Sequence, residues 1–307
     1  MIRREEGSSS KRWTVAELLK WTEEYFQRLR FETPRLDAEV LLAHALANTR
    51  LELYTGYHKL VEPEERGRFR GLVERRAHRE PVAYITGSRE FYSLSFEVTP
   101  AVLIPRPETE HLVEAALEEH SKACSNAAPE APRRILDLCT GSGNVAIALA
   151  VNAPTAFVDA VDSSAQALEV ARRNAGAQGV SDRVAFFQGD LFFPLPEAGR
   201  QYRVIVSNPP YIAKSDFEKL MDDVRLHEPR EALFDSKSSD GDGLGFYRAI
   251  AREASRRLEG DGLLALEVGV GQAAAVLEIL SMSGWKLEKI VKDFGGIERI
   301  VAVRLAR

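Results

Sequence analysis

The sequence predicts an α/β protein: a seven-stranded, mostly parallel, doubly wound sheet with helices on both faces, preceded by a small all-α N-terminal domain and a connecting β-hairpin. From Ile135 onward, short apolar runs alternate with amphipathic helical patterns, which is typical of a parallel sheet. The last two runs have no helix between them and predict an antiparallel hairpin at the sheet edge. Before residue 81 the apolar spacing is helical and strand signals are few. The seven predicted strands are RILDLC, AFVDAVD, RVAFFQGD, YRVIVS, GLLALEVG, WKLEKIVKDF and RIVAVRLAR.

Four segments follow from this pattern. Residues 1–12 are charged and Ser-rich without an apolar run, which predicts a disordered tail and not a signal peptide. Residues 13–80 contain three amphipathic helical patterns. Residues 81–105 are rich in β-branched and aromatic side chains, with Gly87-Ser88 as the expected hairpin turn. Residues 106–307 contain the predicted sheet.

Composition and charge narrow the class of protein. Hydrophobic residues make up 45% of the 307 positions, which is enough for a substantial core. The net charge is −5, and residues 91–307 hold 24 basic and 31 acidic side chains, so the charge does not predict direct nucleic-acid binding. The two cysteines, Cys124 and Cys139, form neither a zinc spacing nor a disulfide framework, which predicts no metal site and a reducing, cytoplasmic location. No apolar run reaches the ~20 residues of a membrane span.

A glycine-rich turn follows the first predicted strand, in DLCTGSGNVA. Gly141, Gly143 and Ala146 match G-x-G-x-x-A, whose glycines permit a tight turn and close approach of a ligand to the backbone. Asp162 ends the next strand, where a carboxylate can accept hydrogen bonds from ribose hydroxyls. The loop alone fits a dinucleotide, S-adenosylmethionine or a purely structural turn. Asp137 favours S-adenosylmethionine, because a carboxylate suits an ammonium and a sulfonium and suits a pyrophosphate poorly.

Two further candidates follow the third predicted strand, in FQGDLF. Asp190 is placed to accept a hydrogen bond from an adenine amino group, and Leu191 to pack on the base. The alternative role for Asp190 is to cap a following helix.

The fourth predicted strand leads into Asn208-Pro209-Pro210-Tyr211. Carboxyl ends of parallel strands share one edge of a sheet, so this loop is expected in the same crevice as the glycine turn. The prolines fix φ near about −65°, which would aim the Asn208 side chain and the Pro209 carbonyl at one point beside the flat ring of Tyr211. Such acceptors suit a planar NH2 group whose delocalised lone pair must be directed toward an incoming methyl group. We therefore predict Asn208, Pro209 and Tyr211 as catalytic residues, a simple structural turn being the alternative.

Taken together, these segments resemble the peptide chain release factor glutamine N5-methyltransferases, a family with the class I, Rossmann-like methyltransferase fold. The resemblance covers nearly the whole chain, and its segments are RLDAEVLLAHAL, EPVAYITGSREFYSLSFEVTPAVLIPRPETE, LDLCTGSGNVAIALA, VDSSAQALEVARRNA, IVSNPPYI, HEPREAL, DGLGFYRAI and LEVG. It implies methyl transfer from S-adenosylmethionine to the side-chain amide N5 of the glutamine in the Gly-Gly-Gln motif of class I release factors. It also implies that residues 13–80 dock the protein substrate, and we expect a monomer.

The resemblance implies particular site residues. Those expected to contact the cofactor are Cys139, Thr140, Gly141, Ser142, Gly143, Asp162, Leu191 and Asn208, to which the strand pattern adds Asp190. Those expected to hold the glutamine side chain are Asn208, Pro209, Pro210 and Tyr211. Cys139 stands where glycine is frequent in the family, which narrows the room beside the cofactor. Leu191 stands where an aromatic residue can occur, which weakens stacking on adenine.

Two charged residues outside these motifs are weaker candidates. Arg106 could hold the methionine end of the cofactor, or form a surface ion pair with Glu108 or Glu110. Glu228 is expected to shape the wall of the substrate loop.

Other activities fit parts of the same pattern. A nucleic-acid adenine N6-methyltransferase needs the same NH2-binding loop, but it would normally carry a basic face or a target-reading domain. A ribosomal-protein glutamine methyltransferase would differ in its N-terminal helices, where RLDAEVLL favours the release-factor branch. A nicotinamide dehydrogenase fits only if Asn208–Tyr211 is ignored.

Overall fold

The computed structural model describes residues 12–125, 133–196 and 200–306. The chain divides into two compact units, Met1–Thr86 and Gly87–Arg307. Apart from Arg12, the predicted disordered tail lies outside the described residues.

Helices build the first unit. They are α1 Val15–Arg28, α2 Pro34–Leu46, α3 Arg50–Thr55, α4 Pro63–Ala77 and α5 Val82–Thr86, and a two-residue antiparallel ladder joins β1 Trp13–Thr14 to β2 Leu60–Val61. The N-terminus of α1 is a capping box: the Glu17 amide donates to the Thr14 hydroxyl oxygen, and the Thr14 amide donates to the Glu17 carboxylate. Leu19, Phe26 and Leu41 are fully buried at the centre of this unit.

A β-hairpin opens the second unit, with β3 at Ser88–Phe91 and β4 at Leu94–Glu97. Its turn is Tyr92-Ser93, where both residues have positive φ, so the prediction of a turn at Gly87-Ser88 is wrong. The apolar run Val82–Thr86, read as part of the hairpin, is the helix α5. A five-residue apolar run does not distinguish a short helix from a strand by periodicity.

The seven-stranded sheet is confirmed. Its strand order is β10-β11-β9-β8-β5-β6-β7. The strands β5 to β9 are parallel to one another, and β11 pairs antiparallel with both β9 and the edge strand β10. The strands are β5 Arg133–Leu138, β6 Ala156–Asp162, β7 Val184–Gln188, β8 Tyr202–Ser207, β9 Leu258–Glu267, β10 Trp285–Lys292 and β11 Glu298–Leu305. The α-helices of this unit are α6 Glu110–Ser125, α7 Asn144–Asn152, α8 Ala165–Ala177, α9 Asp222–His227, α10 Arg230–Leu233, α11 Gly245–Glu253 and α12 Ala273–Met282; the short 3-10 helices are Pro107–Thr109, Phe217–Lys219 and Ala254–Arg256.

Both faces of the sheet are buried. Alternate strand residues such as Ile135 and Val204 pack against α6 and α7, whereas their neighbours Leu136 and Ile205 pack against α11 and α12. This burial on two sides explains why the central strands are continuous apolar runs. No helix among the described residues has both the length and the apolar content needed to cross a bilayer.

Candidate active site

A cleft of about 600 Å³ opens at the carboxyl ends of the parallel strands. The sheet order reverses beside β5, which has β6 on one side and β8 on the other, and such a switch point is where ligands bind in open α/β sheets. The predicted site residues that line the cleft are Cys139, Gly141, Asp162, Asp190, Leu191, Asn208 and Pro210. Thr140 and Ser142 line a smaller adjoining cavity, which also contains Arg106 and Asp137.

The glycine turn after β5 has a left-handed backbone at three positions. Cys139, Gly141 and Gly143 have φ values of 60°, 56° and 79°. A β-carbon on Gly141 would contact nothing within 4 Å, so the backbone there is open to a ligand. Glycine adopts this conformation without strain, whereas the side chain of Cys139 makes it less favourable there.

Gly143 is needed for packing as well as for its backbone angle. It precedes α7, and a β-carbon there would lie 2.9 Å from Ile147 Cδ1 and 3.1 Å from Ala171 Cβ. We expect Gly143→Ala to lower the free energy of unfolding by about 1–3 kcal/mol, from backbone strain and crowding. Urea denaturation of the full chain measures this.

Gly260→Ala is the matched control, because Gly260 is in the same unit and a β-carbon there meets no atom within 4 Å. Equal unfolding free energies for the two variants would contradict the packing role of Gly143.

Asp137 stabilises the glycine turn by accepting hydrogen bonds from it. Its buried Oδ2 accepts hydrogen bonds from the Thr140 hydroxyl at 2.6 Å and from the Ala146 amide at 3.2 Å. Burial raises the pKa of this carboxyl to about 7. The residue predicted to favour a cationic ligand is therefore also a structural brace of the loop.

Asp162 connects the ends of β5 and β6. Its Oδ2 accepts a hydrogen bond from the Gly141 amide at 2.8 Å, and its Oδ1 accepts one from the Ser164 amide at 2.9 Å. Burial raises the pKa of this carboxyl. Because an ionised carboxylate has about four acceptor positions, these two bonds leave capacity for the hydroxyls of a ribose.

Asp190 lies at the rim of the cleft and forms an ion pair with Lys237, at 2.5 Å. The sequence did not identify Lys237 as a partner of Asp190. The Lys237 Nζ also lies 5.2 Å from the ring centroid of Phe246. The residues after Asp190 form a turn and no helix, so the capping alternative is wrong. Leu191 is buried in the cleft wall with a φ of 47°.

The Asn-Pro-Pro-Tyr loop leaves β8 at the centre of the cleft. The half-buried Asn208 donates from Nδ2 to the Thr109 hydroxyl oxygen at 3.2 Å. Pro209 and Pro210 are buried, and Pro210 lines the cleft. The side chain of Asn208 is therefore held from one side by a residue that sequence reasoning missed.

Tyr211 is fixed by glycine contacts and by Gln272. Gln272 Nε2 donates to the Tyr211 carbonyl at 3.1 Å, and the Gly269 amide donates to Gln272 Oε1 at 3.0 Å. A β-carbon on Gly243 would lie 2.4 Å from the Tyr211 carbonyl oxygen, and one on Gly269 would lie 3.0 Å from the Tyr211 ring. Burial raises the pKa of Tyr211 to about 12, so its hydroxyl is neutral at physiological pH.

Arg106 forms a different ion pair from the two that the sequence offered. Its Nη2 donates to Glu228 Oε1 at 2.5 Å, and Glu228 Oε2 accepts from the Ile104 amide at 3.1 Å. Neither Glu108 nor Glu110 is its partner in this pair, because the buried Glu228 approaches from 122 residues further along the chain. Within the described parts of the chain, no three His, Cys, Asp or Glu side chains are grouped as metal ligands.

The sheet order, the glycine turn after β5 and the amide-bearing loop after β8 define a class I methyltransferase fold. The human METTL16 catalytic domain shares this fold, with a TM-score of 0.53, 18% identity, and coverage of 75% of this chain and 82% of that chain. Residues 17–87 match the model of the PrmC N-terminal domain, and residues 116–235 match that of the methyltransferase small domain.

Two relatives match over nearly their full length. The release factor glutamine methyltransferase of Rhodopirellula baltica is 41% identical over 302 residues, which cover 98% of this chain and 99% of the relative. That of Geobacter sulfurreducens is 43% identical over 293 residues, which cover 95% and 97%. The chain therefore belongs to the release factor glutamine methyltransferase family.

Proposed function

We propose that this chain transfers a methyl group from S-adenosylmethionine to the side-chain amide N5 of the glutamine in the Gly-Gly-Gln motif of class I peptide chain release factors. The observation that carries the proposal is the Asn208-Pro209-Pro210-Tyr211 loop, which leaves β8 at the switch point of the sheet with Asn208 in the cleft. The near-complete match to release factor glutamine methyltransferases supports the choice of substrate.

The residues of the cleft fit S-adenosylmethionine. A volume of about 600 Å³ lies within the ~300–1,000 Å³ typical of ligand pockets. Asp162 has unused acceptor positions for ribose hydroxyls, and the open face of Gly141 admits a ligand against the backbone. Asp190 and Leu191 form the wall assigned to the adenine. When bound, S-adenosylmethionine supplies an electrophilic methyl group on a sulfonium.

Residues of the loop after β8 prepare the amide for reaction. Asn208 Oδ1 and the Pro209 carbonyl accept the two hydrogens of the glutamine NH2 group, and this directs the nitrogen lone pair toward the methyl group. The prolines restrict the loop before substrate binds, so little conformational entropy is lost on binding. No charged base is required in this step, because the methylated nitrogen becomes acidic enough to lose its proton readily.

The three segments predicted from the sequence have separate roles in this proposal. Residues 13–80 dock the release factor, residues 81–105 link the two parts, and residues 106–307 perform methyl transfer. The enzyme acts as a cytoplasmic monomer on protein, without direct contact to nucleic acid or membrane. Light scattering of the purified chain alone and with a release factor tests the monomer and a one-to-one complex.

A labelling experiment tests the activity. The purified chain is mixed with isotopically labelled S-adenosylmethionine and a class I release factor, and the label is mapped by mass spectrometry. We expect label on the Gly-Gly-Gln glutamine and none on a release factor in which glutamate replaces that glutamine. Label on DNA or on a ribosomal protein, with none on the release factor, would refute the proposed substrate.

A further inference from the structure

Two turns near the Asn208–Tyr211 loop each present an exposed apolar side chain. Val270, which follows β9, is 69% exposed, and Phe294, in the turn between β10 and β11, is fully exposed. Single exposed apolar side chains are common on protein surfaces and need no explanation. These two differ because of where their turns lie and how firmly the turns are held.

Strand pairing places both turns at the cleft end of the sheet. β9 runs parallel to β8, so Val270 leaves the sheet at the same end as the Asn208–Tyr211 loop. β11 pairs antiparallel with both β9 and β10, so the turn between β10 and β11 lies at that end as well. The Val268 amide donates to the Arg299 carbonyl at 2.8 Å, and the two turns therefore leave neighbouring strands.

The turn that carries Val270 is fixed to Tyr211. Gln272 Oε1 accepts a hydrogen bond from the Gly269 amide at 3.0 Å, and Gln272 Nε2 donates to the Tyr211 carbonyl at 3.1 Å. A β-carbon on Gly269 would lie 3.0 Å from the Tyr211 ring, so the backbone of this turn approaches the ring closely. Val270 is therefore held next to a residue to which we assign the glutamine side chain.

The turn that carries Phe294 is fixed by Asp293. The Asp293 Oδ1 accepts hydrogen bonds from the Gly295 amide at 2.8 Å and from the Ile297 amide at 3.0 Å. Its Oδ2 accepts a hydrogen bond from Arg299 Nε at 2.8 Å. An exposed aromatic side chain on a turn that is already ordered can bind a partner with little loss of conformational entropy.

Phe294 also lies near the residue that holds Asn208. The ring centroid of Phe294 is 5.6 Å from that of His111, which is in the first turn of α6. Thr109, which accepts the hydrogen bond from Asn208 Nδ2, comes two residues before His111 and thus within the length of one helical turn. A protein that inserts a glutamine side chain as far as Asn208 therefore brings its flanking residues close to Phe294.

We propose that Val270 and Phe294 form a docking surface for the release factor, on which apolar side chains next to its Gly-Gly-Gln motif are bound. This inference rests on the proposed function. The position favours the release factor over a second copy of this chain, because a dimer formed on these turns would cover the entrance that the substrate needs.

Replacement of Phe294 by serine tests the docking surface. The side chain is fully exposed, so the free energy of unfolding and the Kd for S-adenosylmethionine should not change. We expect the KM for the release factor to rise about tenfold, the effect of losing one hot-spot residue, while kcat stays within about twofold. Val270→Ser should raise KM about threefold, since its side chain is smaller. Rates of label transfer over a range of release factor concentrations measure both constants.

Met282→Ser is the matched control. Met282 is 84% exposed and ends α12, which runs from the cleft end of β9 to the start of β10 at the opposite end of the sheet. We expect the control to have the KM of the wild type. An unchanged KM in Phe294→Ser, or a fall in kcat without a change in KM, would overturn the docking role. Light scattering that shows a wild-type dimer and a monomeric Phe294→Ser, at equal KM, would assign the surface to self-association and overturn it as well.

Calorimetric titration of each variant with the release factor measures docking without methyl transfer. We expect Phe294→Ser to weaken this binding by the same factor as it raises KM. Binding of the release factor without any label on its glutamine would refute the proposed function alone. Equal Kd values for the wild type and Phe294→Ser, with normal labelling by the wild type, would refute the docking surface alone.

Discussion

Replacement of Asn208 by alanine is expected to lower turnover by ~10² or more while the Kd for S-adenosylmethionine changes by less than roughly tenfold. The Asn208 side chain lies in the cleft at the end of β8 and is held there by Thr109. In the proposed mechanism this removes an acceptor for the reacting amide, whereas Asp162 and the glycine turn, to which we assign cofactor binding, are left in place. Single-turnover rates and calorimetric titration separate the two effects.

Asn152→Ala is a matched control for this variant. Asn152 ends α7, and its side chain donates to the Ala148 carbonyl within the same helix. We expect normal turnover from the control. Wild-type turnover in Asn208→Ala would exclude the assigned role of this amide.

Replacement of Asp162 by alanine is expected to weaken binding of S-adenosylmethionine by about 1–3 kcal/mol, the cost of losing buried hydrogen-bond partners. Two losses contribute. The proposed hydrogen bonds from the ribose to the carboxylate are lost, and the Gly141 amide loses the bond at 2.8 Å that fixes the turn. Calorimetry gives the change in Kd, and a thermal melt of the free chain reports how far the turn itself is loosened.

The exposed Asp182 supplies the comparison, because Asp182→Ala removes an equal charge at the surface of the same unit. The Kd of Asp182→Ala for S-adenosylmethionine should equal that of the wild type. If Asp162→Ala also binds with wild-type affinity, the ribose contact is wrong.

Most of the fold could be predicted because its signals are local. The strands β6 and β8 coincide with the predicted AFVDAVD and YRVIVS, and the other five differ by a few residues at their ends. Apolar runs of strand length, separated by helical patterns, specify a parallel sheet without knowledge of any contact. The helix-free connection between β10 and β11 likewise specified the antiparallel edge.

The supports of the site could not be predicted, because they join residues far apart in sequence. Thr109 and Asn208 are 99 residues apart, and Asp190 and Lys237 are 47 apart. No local sequence pattern identifies such a pair. The segment RPETE, which contains Thr109, is like many other helix starts and does not mark this threonine as a site residue. Gln272, which is 61 residues from Tyr211 in the sequence, likewise donates a hydrogen bond to the Tyr211 carbonyl. The sequence therefore identified the loops that reach the cleft but not the side chains that orient them.

Cys139, which has a left-handed backbone conformation in the glycine turn, is expected to be chemically unreactive. Burial, together with the negative charge of Asp162, raises the pKa of the Cys139 thiol far above its ordinary value, so the nucleophilic thiolate is scarcely populated at physiological pH. Alkylating agents and peroxides should therefore spare this sulfur even though it lines the cleft, and should modify the exposed Cys124 first. Peptide mapping after brief iodoacetamide treatment would show the order, and methyl transfer should persist while Cys124 is fully alkylated. A thiol that lines the cleft would thus stay reduced under conditions that modify the surface cysteine.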